Sequence, residues 1–125
     1  MMTVLENHEL IAKISSHGAE LHSLYDKTTK TEYIWQGDKT YWPWHAPICF
    51  PITGSVHNDE YIFEDKKYML TVHGFARDYV LERVEESPAS VTHRLVSNAE
   101  TRKVYPFDFE LMITHRLDGD KVDIQ

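Results

Sequence analysis

The sequence predicts an all-β fold, an antiparallel β-sandwich. Three observations carry this. Apolar and polar residues alternate with period two along most of the chain. Turn signals separate the alternating runs at steady spacing. No window of about eleven or more residues shows a capped 3.6-residue period.

The elements follow in order. Leu10, Ala12 and Ile14 alternate with Ile11 and Lys13, which predicts a strand. Gly18 turns the chain, and Ala19 to Tyr25 is the returning strand. Asp26 to Lys30 is a polar tip, and Glu32 to Trp35 a short strand closed by Gly37-Asp38. Glu60 to Glu64 and Lys66 to Thr71 form a hairpin about Asp65, after a polar turn at His57-Asn58-Asp59. Tyr79 to Glu85 alternates until Ser87-Pro88 breaks it, and Val91 to Val96 alternates again. Asn98 to Pro106 is expected to be loop. Phe109 to about Leu117 alternates, Asp118-Gly119 is a hairpin turn, and Val122 and Ile124 open the next strand.

At 125 residues the chain holds one modest domain, residues 1–125. With 42% hydrophobic and 12% aromatic residues it is of ordinary globular composition, which argues against disorder. A net charge of −7 makes nucleic acid and anionic membrane poor partners. No run approaches the ~18 apolar residues of a membrane span. The start has no basic region followed by an apolar core, so no signal peptide is visible. The single cysteine, Cys49, excludes an internal disulfide and fits a cytoplasmic setting. The chain stops at Gln125 inside a strand pattern, so the N-terminal part of a longer protein is expected, with strand faces left uncovered and self-association through them.

The functional argument centres on Tyr41 to Arg77. Tyr41 to Gly54 contains Pro43, Pro47 and Pro51, too many prolines for a helix or a central strand. It also carries Tyr41, Trp42, Trp44 and Phe50, which an exposed loop has little reason to hold. A half-buried irregular wall beside a concavity reconciles the two, and its aromatic faces suit a small polar ligand such as a sugar ring. The loop His73-Gly74-Phe75-Ala76-Arg77 is its expected partner. A histidine donates to or accepts from a sugar hydroxyl, and a guanidinium offers a rigid fork for two oxygens.

Plainer readings stand beside these. His73 could bond within its own loop, and Arg77 could pair with Asp78 or Glu82. His45 could be a satisfied, partly buried histidine, and Trp42 and Trp44 could fill core. The other histidines lack ligand spacing and no Cys-x-x-Cys occurs, so no metal site is expected. The five glycines are isolated, so no phosphate-cradling loop is present, and no cofactor is implied. Glu20 and Glu32 have no pairing logic that sequence supports.

Taken together, Gly18-Ala19-Glu20-Leu21 with Ser23-Leu24, Glu32-Tyr33-Ile34-Trp35, Tyr41-Trp42, Ala46 to Gly54, His73 to Arg77 and Tyr105 to Phe109 resemble the aldose 1-epimerase (galactose mutarotase) superfamily, in its LacX-like branch. The resemblance runs from about Leu10 onward. It implies a galactose mutarotase-like supersandwich of roughly twice this length or more. It also implies interconversion of α and β anomers of an aldose. A base removes the anomeric hydroxyl proton, an acid protonates the ring oxygen, and the opened sugar recloses on its other face. The family's acid, a histidine in a His-Pro signature, and its glutamate base are expected beyond Gln125, since no His-Pro occurs here. His73 matches the family histidine that orients the sugar, and Arg77 an arginine used for substrate contacts in the hexose-phosphate branch. With His45 and Trp44 these form the expected sugar-binding set. That branch carries Arg-Gly-Gly where this chain reads His45-Ala46-Pro47, which favours a free or unusual aldose over a sugar phosphate. A non-catalytic carbohydrate-binding β-domain or an inactive fragment is the alternative, and a hexose-phosphate mutarotase a further one. In the full protein, His73→Ala is expected to lower turnover with little loss of stability.

Overall fold

The computed structural model describes residues 1–125, and two four-stranded antiparallel sheets dominate it. The first runs in the order β1 (Met2–Glu6), β2 (Leu10–Ser15), β3 (Glu20–Asp26), β4 (Thr31–Glu32). The second joins β7 (Glu82–Ser87), β8 (Ser90–Val96), β9 (Glu110–Asp118) and β10 (Lys121–Ile124), again as sequential neighbours. A separate hairpin pairs β5 (Glu60–Phe63) with β6 (Lys66–Met69). Its tip residues Glu64 and Asp65 both have positive φ, as a tight two-residue turn requires.

Alternation puts Thr3, Leu5, Ala12 and Ile14 inward from the first sheet and Val91, Ile113 and Leu117 inward from the second. One apolar cluster spans both sheets through Leu5, Leu10, Ala12, Ile14, Leu21, Val91 and Leu117. This is the core of a sandwich, with each face covering the other. A second cluster gathers Leu70, Phe75, Ala76, Leu81, Leu95 and Ile113, with Phe50, Tyr105 and Phe109 packed on it. This second core lies under the proline-rich segment and holds it in place.

The structure departs from the sequence-based expectations in four places. Residues 99–104, expected as loop, form a six-residue helix, α1 (Ala99–Val104). Asn98 caps it by accepting from the N–H groups of Glu100 and Thr101, while Thr101 Oγ1 accepts from the Asn98 N–H. A strand, β1, precedes the first expected one. The strand expected at Glu32 to Trp35 ends at Glu32, whose carboxylate accepts from Leu24 N–H at 2.8 Å, Ile34 N–H at 3.0 Å and Ser23 Oγ–H at 2.5 Å. These bonds replace the ladder that a longer strand would need. The strand expected from Tyr79 begins at Glu82, after a single 3-10 turn at Ala76–Asp78.

Candidate functional site

Backbone hydrogen bonds join the proline-rich segment to the His73 loop. Phe50 N–H donates to His73 O at 3.1 Å, and His73 N–H to Gly54 O at 2.8 Å. The Phe50 carbonyl accepts from both Phe75 and Ala76, at 2.8 and 3.2 Å. The Phe50–Pro51 peptide is cis. Gly74 is required where the two chains touch. Its φ is +72°, and a Cβ there would lie 2.1 Å from the Phe50 oxygen. The tight contact and the left-handed backbone both select glycine.

His73 sits in this junction with its own φ at +64°. Its Nδ1 accepts from the Gly54 N–H at 3.0 Å. In the neutral ring the proton then sits on Nε2, which is left as a donor. His73 is thus bonded across the junction, to Gly54 of the proline-rich segment rather than within its own loop as the plainer reading supposed.

Arg77 forms no ion pair with Asp78 or Glu82. Its guanidinium lies over the Trp44 indole, 4.6 Å from the ring centroid, and donates to Val72 O at 3.1 Å. Its Nε is buried without a partner. A guanidinium stacked on an aromatic face keeps its edge donors available.

Trp44 and Arg77 line one cleft of about 460 Å³, together with Ser15, His17, Glu20, His22, Lys39, Pro43 and Asp78. That volume falls in the range of small-molecule sites. Three other hollows, of about 410 Å³ at Glu85, Glu86, Ser87, Ser90 and Arg116, about 270 Å³ beside His57, Tyr61 and Lys67, and about 20 Å³ between Thr114, Arg116, Asp123 and Gln125, pair no guanidinium with an aromatic face. His73 and His45 are not among the residues lining the larger cleft. His45 packs behind the wall. Its Nδ1–H donates to Trp35 O at 2.8 Å, and its ring stacks on His22 at 3.9 Å between centroids.

Sequence reasoning missed Glu20 and His22. Glu20 opens β3 and is 8% exposed. Its Oε1 accepts from the backbone N–H of His45 at 2.6 Å and of Ala46 at 2.9 Å. Its Oε2 lies 3.2 Å from His22 Nε2. Burial, and then the neighbouring His45, push the His22 pKa down, and Glu20 offsets part of the effect. Glutamate's place in Gly18-Ala19-Glu20-Leu21 was the only available signal, since its partners in the wall, His45 and Ala46, are 25 and 26 residues away.

The fold and its motifs define an all-β sandwich domain with a cleft beside one sheet, and the comparisons give the family. The chain belongs to the aldose 1-epimerase family, whose model matches residues 1–125. It is 38% identical to the chromosomal Protein LacX of Lactococcus lactis subsp. lactis over 97% of its own length. A galactose mutarotase-like protein from Lactobacillus casei superimposes with a TM-score of 0.95 at 41% identity, over 99% of this chain and 42% of that one. A galactose mutarotase related enzyme from Lactobacillus acidophilus gives the same TM-score and identity over 98% of this chain. The chain spans 42% of the length of the LacX protein. No helix is long and apolar enough to cross a membrane.

Proposed function

We propose that this chain supplies the sugar-facing sheet of an aldose 1-epimerase-type isomerase acting in the cytoplasm, and that the cleft beside Trp44 and Arg77 receives a free aldose. The observation that carries the reading is the Arg77 guanidinium stacked on Trp44 at the wall of that cleft. An indole face packs against the C–H face of a pyranose, and the guanidinium edge binds two of its oxygens. His73 does not line this cleft; with Nδ1 accepting from the Gly54 N–H it keeps Nε2–H as a donor in the adjoining loop, and its sugar-orienting role is proposed for the fuller site that the family resemblance implies. The proton transfers themselves fall to the acid and base that the family resemblance places outside this chain. His45 gives no second guanidinium at the place where the sugar-phosphate branch carries one, which supports an uncharged sugar.

The test is an NMR titration of the chain with D-galactose and D-glucose, followed by polarimetry of freshly dissolved α-galactose. The Trp44 indole and Arg77 Nε resonances are expected to shift with galactose, and Arg77→Gln to weaken binding about tenfold, as expected for a lost charged hydrogen bond. Resonances that stay unmoved by either sugar would remove the cleft from consideration. The second reading, a carbohydrate-binding β-domain without catalysis, is favoured by the lack of the family's acid and base in these residues. Binding with a rotation rate no faster than buffer would select it for the chain alone.

A further inference from the structure

We propose that Glu20 is the positioning residue of this cleft: its buried carboxylate fixes the aromatic wall to β3 and holds His22 with Nδ1 free to accept a hydrogen bond from a bound sugar. The proposal rests on the cleft being the sugar site. Three distances carry it. Glu20 Oε1 takes two successive backbone N–H groups of the wall, from His45 and Ala46, at 2.6 and 2.9 Å. These residues immediately follow Trp44, the aromatic face of the cleft. Glu20 Oε2 takes the Nε2–H of His22 at 3.2 Å.

A carboxylate only accepts, so a hydrogen bond from His22 Nε2 requires the proton there. Neutral imidazole carries one N–H, and Nδ1 is then left as a lone pair. It has no partner within the chain and is not among the buried unpaired atoms, so solvent or a ligand reaches it. Both His22 and Glu20 line the cleft. The stack of His22 on His45, tilted by only 18°, fixes the ring plane from its other side. His45 is itself held by Trp35 O and by Glu20 through its own N–H. One buried side chain therefore sets the wall's position and the orientation of an acceptor facing the same cleft. This is the arrangement by which a carboxylate orients a histidine in acid–base sites, acting without touching substrate.

The experiment compares wild type with Glu20→Gln, a change of shape so small that folding is retained when the caps and core are intact. The glutamine carbonyl still accepts from the wall, but its amide donates, so His22 Nε2 must become the acceptor. The ring nitrogen ¹⁵N spectrum of His22 is expected to show Nε2–H in wild type and Nδ1–H in the variant. The His22 pKa is expected to fall further, because the neighbouring negative charge is gone. Galactose binding is expected to weaken about tenfold, which a role confined to stability would not produce in a folded variant. Wild-type His22 already carrying Nδ1–H overturns the proposal even if the variant cannot be folded. So does a variant whose tautomer and wall amide shifts match wild type. If neither protein responds to galactose while the tautomer still reverses, the sugar reading falls and Glu20 keeps its role in holding the wall and His22.

Discussion

His93 and His115 lie on neighbouring strands and on the same inward face, and neither is exposed to solvent at all. On β8 and β9, His93 stands opposite Ile113 and Val91 opposite His115, so the two imidazoles are diagonal neighbours. Both nitrogens of His115 lack a hydrogen-bond partner, and His93 has only a 3.5 Å contact to Ser16 Oγ. Such groups stay neutral because a charge there would lose its hydration with nothing in return.

Acid should therefore destabilise this fold through its histidines before most carboxylates titrate. Burial, with His93 beside it, lowers the His115 pKa from 6.5 to about 4. Burial and Arg83 lower that of His93. The unfolded chain thus binds protons that the folded chain refuses, and stability falls as pH drops from about 6.5 to about 4. For His115 the loss is about 3 kcal/mol by pH 4. Denaturant unfolding at pH 7.5, 5.5 and 4.5 reads it. His115→Leu should flatten the profile and raise stability at pH 7.5 by about 1 kcal/mol, because two unpaired buried nitrogens are removed. An equally steep profile in the variant would show that other groups control acid stability.

Gly74→Ala should be among the most damaging single substitutions in the chain. The added Cβ would meet the Phe50 oxygen at 2.1 Å and the Pro51 nitrogen at 2.6 Å, both backbone atoms that cannot rotate away. The expected cost is about 3 kcal/mol or more, from the clash together with the positive φ. Gly119→Ala is the matched control, since its φ is +57° and nothing lies within 4 Å. It should cost only about 1 kcal/mol. Equal melting temperatures for the two variants would remove the Phe50–Gly74 contact as a determinant of the fold.

The strands were legible because period two reports burial residue by residue. Phe109 to Leu117 alternates in sequence, and β9 buries Ile113, His115 and Leu117 in that register. The Asp118-Gly119 turn followed from local chemistry alone. Helix α1 escaped because six residues complete fewer than two turns, so no period could show. Its one local signal was Asn98 three residues ahead of Thr101, a variant of the usual capping box. Trp44 and Arg77 were legible as candidates, but not as a stacked pair, for 33 residues separate them. Glu20 shows the limit most clearly. Apart from its place in Gly18-Ala19-Glu20-Leu21, nothing in its neighbourhood distinguishes it from a solvated strand-end carboxylate, and only the folded chain brings the wall's N–H groups to it.

His73→Ala should cost stability as well as sugar contacts, which revises the sequence-based expectation of little loss. The ring accepts the Gly54 N–H, and alanine leaves that donor unpaired in a half-buried junction. Alanine also tolerates a φ of +64° poorly. A loss of about 2 kcal/mol is expected. His73→Asn should recover about half of it, since asparagine accepts hydrogen bonds and adopts left-handed backbone more readily. Thermal unfolding of the three proteins decides. An alanine variant as stable as wild type would mean that the Gly54–His73 bond contributes nothing.

The chain should self-associate through the free edge of β10. That strand pairs only with β9, so one row of its backbone groups is unpaired. Ile124 on it is 47% exposed. The opposite edge, β7, is exposed along its whole length but carries Glu82, Arg83, Glu85 and Glu86, charges that discourage strand addition. Beyond these edges, Tyr41, Ile62 and Val80 are each more than two-thirds exposed, at 79%, 72% and 71%. Sedimentation velocity over a concentration series should show growing oligomers. Ile124→Lys should reverse them, because a lysine on an edge must be desolvated when another strand docks. Oligomers that persist unchanged in the Ile124→Lys chain would shift the contact to the exposed apolar residues such as Tyr41, Ile62 and Val80, and a single monomeric species at every concentration would exclude association altogether.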